Sequence, residues 1–306
     1  MEKVKYFRFK PCHCCSRNTI CKKYDSFQYS VIDGLICSTE LPISSISEYK
    51  NGNLYGIDYS SCIAVKSLIF NDFENSNVNI LELCSAPGSK MLYILDCLPE
   101  SMVTGVDLRK DRLGVAKMLL RKYNHLNRAQ LIAADASTCT VSVPCHYKTG
   151  QKYLQQLYHS PRHLNQSEFF EFDRVLVDSE CTLDGKEYRV PKGKAKSSYS
   201  NEELFNLQKG ILLNGFKHLK QSGILVYSTC SLNVHENECV VENLLSSCEN
   251  AVLVVPPFWN NLNIDISIKY CTICNKSYKI GMRMDRYHLK TSGMFVAVVQ
   301  RAQIFI

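Results

Sequence analysis

Six short runs of aliphatic and β-branched residues, separated by longer stretches with helical spacing, occupy the chain from Asn77 to Arg301. Runs this apolar must be covered on both faces, so the alternation predicts a doubly wound α/β fold, a largely parallel sheet with helices packed on each side. Strands are expected at 77–84, 101–108, 129–136, 173–179, 223–230 and 293–300, the last as a late edge strand. Helices are expected over Lys90–Leu98, Lys110–Tyr123, Glu202–Lys220 and Glu236–Leu245. Hydrophobic residues make up 45% of the 306, enough to fill such a core, which excludes disorder as the main state. Residues 1–50 have little periodicity and read as a short extension; residues 51–306 read as the main domain. Two long loops, 137–171 and 182–200, leave strands at their carboxyl ends, where open α/β sheets hold ligands.

The turn after the first core strand, Cys84-Ser85-Ala86-Pro87-Gly88-Ser89-Lys90, is a run of small residues entering a helix, where backbone amides can approach a ligand. It is neither GxGxxG nor a phosphate loop. Asp107 ends the next strand 19 residues beyond Gly88, the spacing of a carboxylate that accepts from ribose hydroxyls. Asp135 and Asp178 end two more strands, and the set suggests a cofactor containing adenosine. The fourth and fifth strands each deliver a cysteine, Cys181 and Cys230, to the same end of neighbouring strands. A thiolate is the side chain best suited to add to an electron-poor ring carbon.

Here the chain resembles a family. LELCSAPGSK, GVDLRKDRLG, FDRVLVDSEC and GILVYSTCSLNVHENECVV are similar to successive motifs of the Sun-type (NSUN) RNA cytosine-5 methyltransferases, as are GNLYGIDYSS upstream and Arg283-Met284-Asp285 with Ser292-Gly293-Met294-Phe295 near the end. The resemblance covers about residues 52–301 and implies a Rossmann-like sheet that binds S-adenosylmethionine and methylates cytosine in tRNA or rRNA. It implies that Cys84 to Lys90 and Asp107 hold the cofactor, that Arg112 supports that site, that Asp135 contacts the adenine side, and that Asp178 lies between cofactor and base. It further implies Cys230 as the nucleophile at carbon 6, Cys181 as the cysteine of product release, and Lys90 with Asp178 as orienting groups for the base.

The chain departs from the family pattern at three places: Glu180 for a usual Pro, Ser89 in a Gly-Gly-Lys, and Thr182-Leu183 for Ser-Gly. A carboxylate at Glu180 is expected to raise the pKa of Cys181 beside it. If catalysis were lost, a non-catalytic RNA-binding subunit would be the alternative. RNA contact is expected from Lys186, Arg189, Lys192, Lys194 and Lys196, with Tyr188 and Tyr199 stacking on bases, and a partner is expected to supply part of the specificity. The net charge of +7 permits such a polyanionic ligand without requiring it. Cys12/Cys15 and Cys271/Cys274 have zinc-ligand spacing but lie far apart, and no metal is assigned. The first ten residues contain no apolar run suited to secretion and no window suits a membrane span, so an intracellular protein with reduced thiols is expected, its compartment open between nucleus, cytoplasm and mitochondrion.

Overall fold

Alternate residues of the apolar runs face opposite layers, and that alternation decides where each strand's two sides are buried. Ile80, Val103, Leu176 and Val226 enter one core cluster, while Leu81, Leu83, Val106, Val175, Val177 and Leu225 enter the other. The computed structural model describes residues 5–11, 28–29, 36–39, 42–72, 76–142, 171–186, 199–262, 280–284 and 291–303.

A small antiparallel sheet comes first in the chain, from β1 (Lys5–Phe9), β2 (Gln28–Tyr29), β3 (Ile36–Thr39) and β4 (Leu54–Gly56), in the order β2-β3-β1-β4. Because β4 pairs with β1, this sheet straddles residue 50. Its inner end is anchored by charge. Arg8 Nη1 and Tyr55 Oη each lie 2.8 Å from Asp96 Oδ2, and His125 Nε2 lies 2.7 Å from Oδ1 of the same buried carboxylate. Arg128 can only donate, so His125 Nδ1 accepts from it at 2.9 Å and the Nε2 proton goes to Asp96.

The main sheet contains β5 (Asn79–Leu83), β6 (Met102–Asp107), β7 (Ala129–Ala133), β8 (Phe172–Asp178), β9 (Leu219–Thr229), β10 (Ala251–Leu253), β11 (Met282–Met284) and β12 (Met294–Arg301). The order is β10-β12-β9-β8-β5-β6-β7, with β11 also pairing β12. The strands from β7 to β9 run parallel, whereas β12 is antiparallel to β9. β12 is therefore not the edge strand expected from the sequence. Three-residue β10 lies outside it, a segment too short to show a periodicity.

α1 (Ser47–Lys50) precedes α2 (Tyr59–Leu68), α3 (Ser89–Cys97) and α4 (Lys110–Lys122), whose buried residues line the first cluster. α5 (Asn201–Lys217) and α6 (Glu238–Ser247) cover the opposite face. Ser200 starts α5 with a capping box, its Oγ accepting from Glu203 N while Glu203 accepts from Ser200 N. The helix stops three residues before the expected Lys220, because His218 O accepts from Phe172 N at 2.7 Å and Leu219 pairs with Phe172 in the sheet. Strand order reverses between β5 and β8, which opens a crevice at their carboxyl ends.

Candidate active site

The turn out of β5 lies at that crevice. Cys84 and Gly88 take positive φ, at 60° and 96°, and a Cβ on Gly88 would come within 3.0 Å of the Ala116 Cβ on α4, so glycine lets the turn pack against that helix. Asp107, buried at the end of β6, braces the turn: Oδ2 accepts from Ala86 N at 3.0 Å and Oδ1 from Arg109 N at 2.9 Å. Arg112 on α4 donates to Ala86 O at 2.5 Å. Ser85 Oγ is buried without a hydrogen-bond partner, and Pro87 is exposed at the tip. Asp135, exposed beyond β7, closes a local turn by accepting from Ser137 N and Oγ.

Lys90 enters the crevice from the first turn of α3 and meets Asp178 at the end of β8, Nζ to Oδ2 2.6 Å, while Ser228 Oγ donates to Oδ1 at 3.0 Å. Burial works against the Lys90 ammonium, but the Asp178 charge and hydrogen bond, with Glu82 behind them, hold its pKa above the usual lysine value. Glu82 is an acid that the sequence reading passed over. It sits fully buried in β5 with Oε2 unpartnered, and burial pushes its pKa up to about 8, the attraction of Lys90 being outweighed with help from Asp178 and Asp107.

The two cysteines meet. Cys181 Sγ and Cys230 Sγ are 3.2 Å apart, with only 2% and 6% of each residue exposed. The Cys181 thiol donates to Cys230, which lowers the Cys230 pKa against the opposing effect of burial, and Lys186 and Lys90 lower it further. Donation to Cys230 and then burial hold Cys181 well above the usual thiol range. Glu180 is not the cause. Its side chain is exposed, and its charge bears on Cys84 and Arg109 instead. The Cys181 pKa is raised as expected, but the bond to Cys230 and burial are its leading causes rather than the exposed Glu180 carboxylate.

Behind the thiols runs a network the sequence reading did not assemble. Glu236 accepts from Thr182 N and Oγ1 at 2.9 and 2.7 Å; Gln208 Nε2 donates to Glu180 O at 2.8 Å; Tyr227 Oη donates to Glu236 O at 2.6 Å. Thr229 Oγ1 and Asn237 Oδ1 are 2.5 Å apart, and Arg283 pairs with Glu238. A Cβ on Gly185 would fall 2.5 Å from Cys230 O, so only glycine allows that close passage. The acidic HENE cluster after Cys230 was the available signal.

Of the expected RNA-contacting residues, Lys186 is half-buried beside Cys230 and Tyr199 is exposed, while Tyr188, Arg189, Lys192, Lys194 and Lys196 lie outside the described residues, as do Cys12, Cys15, Cys271 and Cys274. Among the described residues no cluster of potential metal ligands is present, and no described helix is long and apolar enough to cross a membrane.

The family model for the 16S rRNA methyltransferase RsmB/F matches residues 69–300. The chain belongs to this family. Among its relatives is the multisite-specific tRNA:(cytosine-C(5))-methyltransferase trm4b of Schizosaccharomyces pombe, 31% identical over 231 residues that make up 69% of this chain and 32% of that one. The ribosomal RNA small subunit methyltransferase B of Pectobacterium atrosepticum is 35% identical over 181 residues, 57% of this chain and 35% of that protein. The chain thus spans about a third of the length of these curated relatives. In fold it is similar to a methyltransferase homolog protein from Pyrococcus horikoshii, with a TM-score of 0.72 at 21% identity, covering 98% of this chain and 87% of that structure.

Proposed function

We propose that this chain is an S-adenosylmethionine-dependent RNA cytosine-5 methyltransferase that forms 5-methylcytosine in tRNA or rRNA, with Cys230 as the nucleophile. The observation that carries the reading is the pair of buried thiols 3.2 Å apart at the carboxyl ends of β8 and β9, beside the Lys90–Asp178 pair. The crevice fits the cofactor. Two buried polar atoms, Ser85 Oγ and Glu82 Oε2, lack partners; the Gly88 turn leaves backbone close to the crevice; and each Asp107 oxygen retains a lone pair beyond the amide it accepts. Cys84 to Lys90 and Asp107 would hold S-adenosylmethionine, with Arg112 bracing the turn, Asp135 on the adenine side and Asp178 towards the base. When bound, the cofactor supplies an electrophilic methyl group.

Carbon 5 of cytosine is a poor nucleophile until sulfur adds at carbon 6. The Cys230 thiolate forms that sulfur–carbon bond, and the ring electrons it displaces accumulate on the ring. Lys90, kept cationic by Asp178, lies within the same crevice to oppose that charge, and Asp178 orients the base with it. Once Cys230 is bonded to carbon, it no longer accepts the Cys181 proton. The largest cause that held Cys181 protonated is then gone, so Cys181 can release its own proton to solvent and, as thiolate, take the carbon-5 proton once carbon 5 carries the methyl group. The carbon–hydrogen electrons restore the ring double bond and expel Cys230 as thiolate.

The basic stretch from Lys186 to Lys196 supports RNA as the ligand. The test is denaturing electrophoresis after incubation with an RNA holding the target cytosine and S-adenosylmethionine. Cys181→Ala should leave a stable protein–RNA conjugate, and Cys230→Ala neither conjugate nor methylation. A conjugate with Cys230→Ala alone would reverse the roles, and neither methylation nor conjugate from any form on tRNA or rRNA would favour the non-catalytic RNA-binding subunit.

A further inference from the structure

The last backbone bond between β8 and β9 runs from Ser179 N to Ser228 O at 3.1 Å. Cys181 and Cys230 both lie beyond it, so the sheet itself does not hold them 3.2 Å apart. Beyond the ladder the Gly185 amide donates to the Cys230 carbonyl at 3.0 Å, which holds the Cys230 loop, and two buried side chains fix the Cys181 turn itself. Gln208 of α5 donates to the carbonyl of Glu180, and Glu236 accepts from the amide of Thr182. These are the two peptide groups that flank the Cys181 Cα. Glu236 also takes the Thr182 hydroxyl, is 3% exposed, and lies six residues beyond Cys230 on the loop that Tyr227 ties down from β9. Its carboxylate therefore links the Cys181 turn to the Cys230 loop directly, and Thr182 Oγ1 to Ser231 Oγ at 3.2 Å adds a second crossing.

We infer that Glu236, with Gln208, is the positioning residue that sets Cys181 against Cys230 and so governs the hydrogen bond between the two thiols. This rests on the assignment of the thiols under the proposed function, but the contact it concerns can be measured without turnover. A carboxylate suits the role because it accepts two bonds from one residue, and burial among donors alone makes those bonds hard to exchange for water. Removing it frees the Thr182 peptide, and a rotation there moves the Cys181 sulfur away.

The experiment uses the full chain and the thiol oxidant diamide, which takes two electrons and two protons from a thiol pair to make a disulfide and is itself reduced to the hydrazine. Peptide mapping follows the Cys181–Cys230 disulfide over time. Glu236→Ala should form it at least tenfold more slowly than the parent, with the S-adenosylmethionine affinity unchanged because the β5 turn is not involved. Glu236→Gln keeps one oxygen for Thr182 N and can donate to the hydroxyl, so it should stay within about threefold. In turnover, Glu236→Ala should lower kcat without raising KM for the cofactor and should accumulate the conjugate expected of Cys181→Ala. If Glu236→Ala does not fold, Thr182→Val, which loses only the hydroxyl bonds, should still slow the disulfide several-fold. A folded Glu236→Ala, or failing that a folded Thr182→Val, that oxidises at the parent rate overturns the inference. Loss of methylation in the parent with slowed oxidation in the variant would instead overturn the proposed function and leave the clamp standing.

Discussion

The hydrogen bond from the Cys181 thiol is the largest cause of the lowered Cys230 pKa, so replacing it should make Cys230 less reactive before any RNA is present. A hydrogen bond to a charged acceptor contributes about 1.5–3 kcal/mol. Losing it in Cys181→Ala lowers the thiolate population at a fixed pH below the pKa by roughly ten- to a hundredfold, since 1.4 kcal/mol is tenfold. A more basic thiolate is also a better nucleophile, which returns about half of that on the logarithmic scale. Alkylation of Cys230 by iodoacetamide at neutral pH should therefore slow by about three- to tenfold. Cys181→Ser keeps an O–H donor and should fall between the parent and the alanine variant. The alanine variant also opens space beside a buried sulfur, which works in the opposite direction. The assay is the time course of the modified Cys230 peptide by mass spectrometry, with buried Cys62 as an internal reference for unfolding. Alkylation of Cys230 that is no slower than in the parent and equal in folded Cys181→Ala and Cys181→Ser proteins would falsify the view that Cys181 donates to Cys230.

Asp107→Ala removes the bond that braces Ala86 N and the bond to Arg109 N as well as a ribose acceptor, and calorimetry should show S-adenosylmethionine binding weakened by at least tenfold; unchanged affinity would remove Asp107 from the cofactor site. Glu82 has a folded pKa of about 8, above its unfolded value, so the native state holds an extra proton between about pH 4.5 and 8 and loses stability as pH rises through that window, by up to about 1.4 kcal/mol per unit. Glu82→Gln should flatten that slope, so the difference in Tm between variant and parent should grow in the variant's favour from pH 5 to pH 8; a difference independent of pH would contradict the buried acid. Neutralising Lys192, Lys194 and Lys196 should weaken RNA binding for all sequences and reduce the salt slope by roughly 2, taking one phosphate per lysine on a single strand; an unaltered slope would place RNA elsewhere.

The parts of the fold written in contiguous apolar runs were legible, because a strand buried on both faces has no other composition available to it. β5, β6, β8 and β12 lie within one or two residues of expectation for that reason. β10 and the pairing of β1 with β4 were not legible, since three-residue strands take their stability from a partner distant in the chain. The site divides in the same way. Residues at a strand's end or just beyond it, such as Asp107, Asp178, Cys181 and Cys230, announce themselves by position. The Glu236–Thr182 bond joins residues 54 apart, and its existence depends on how two loops settle after the strands have ended. That Glu180 is exposed while Cys181 beside it is buried was hidden too, because adjacency in sequence says nothing about burial once the chain leaves its pleat. Glu82 was visible all along as the one charge in LELC, but an acid in a buried strand is conspicuous only when burial on both faces is taken seriously.

The Arg8–Asp96 contact has a practical corollary for β1. That strand is five residues long, carries buried Phe7 and Phe9, and is held by two neighbouring strands and by a cation whose partner belongs to α3. Its attachment therefore does not depend on the covalent chain that follows it. A protein cut between β1 and β2 should keep the strand as a bound peptide, and a synthetic peptide of residues 1–11 should reassociate with the remainder in the manner of a split reporter. Substituting Arg8 with Met in that peptide would leave Asp96 buried with only Tyr55 and His125, and the two pieces should part.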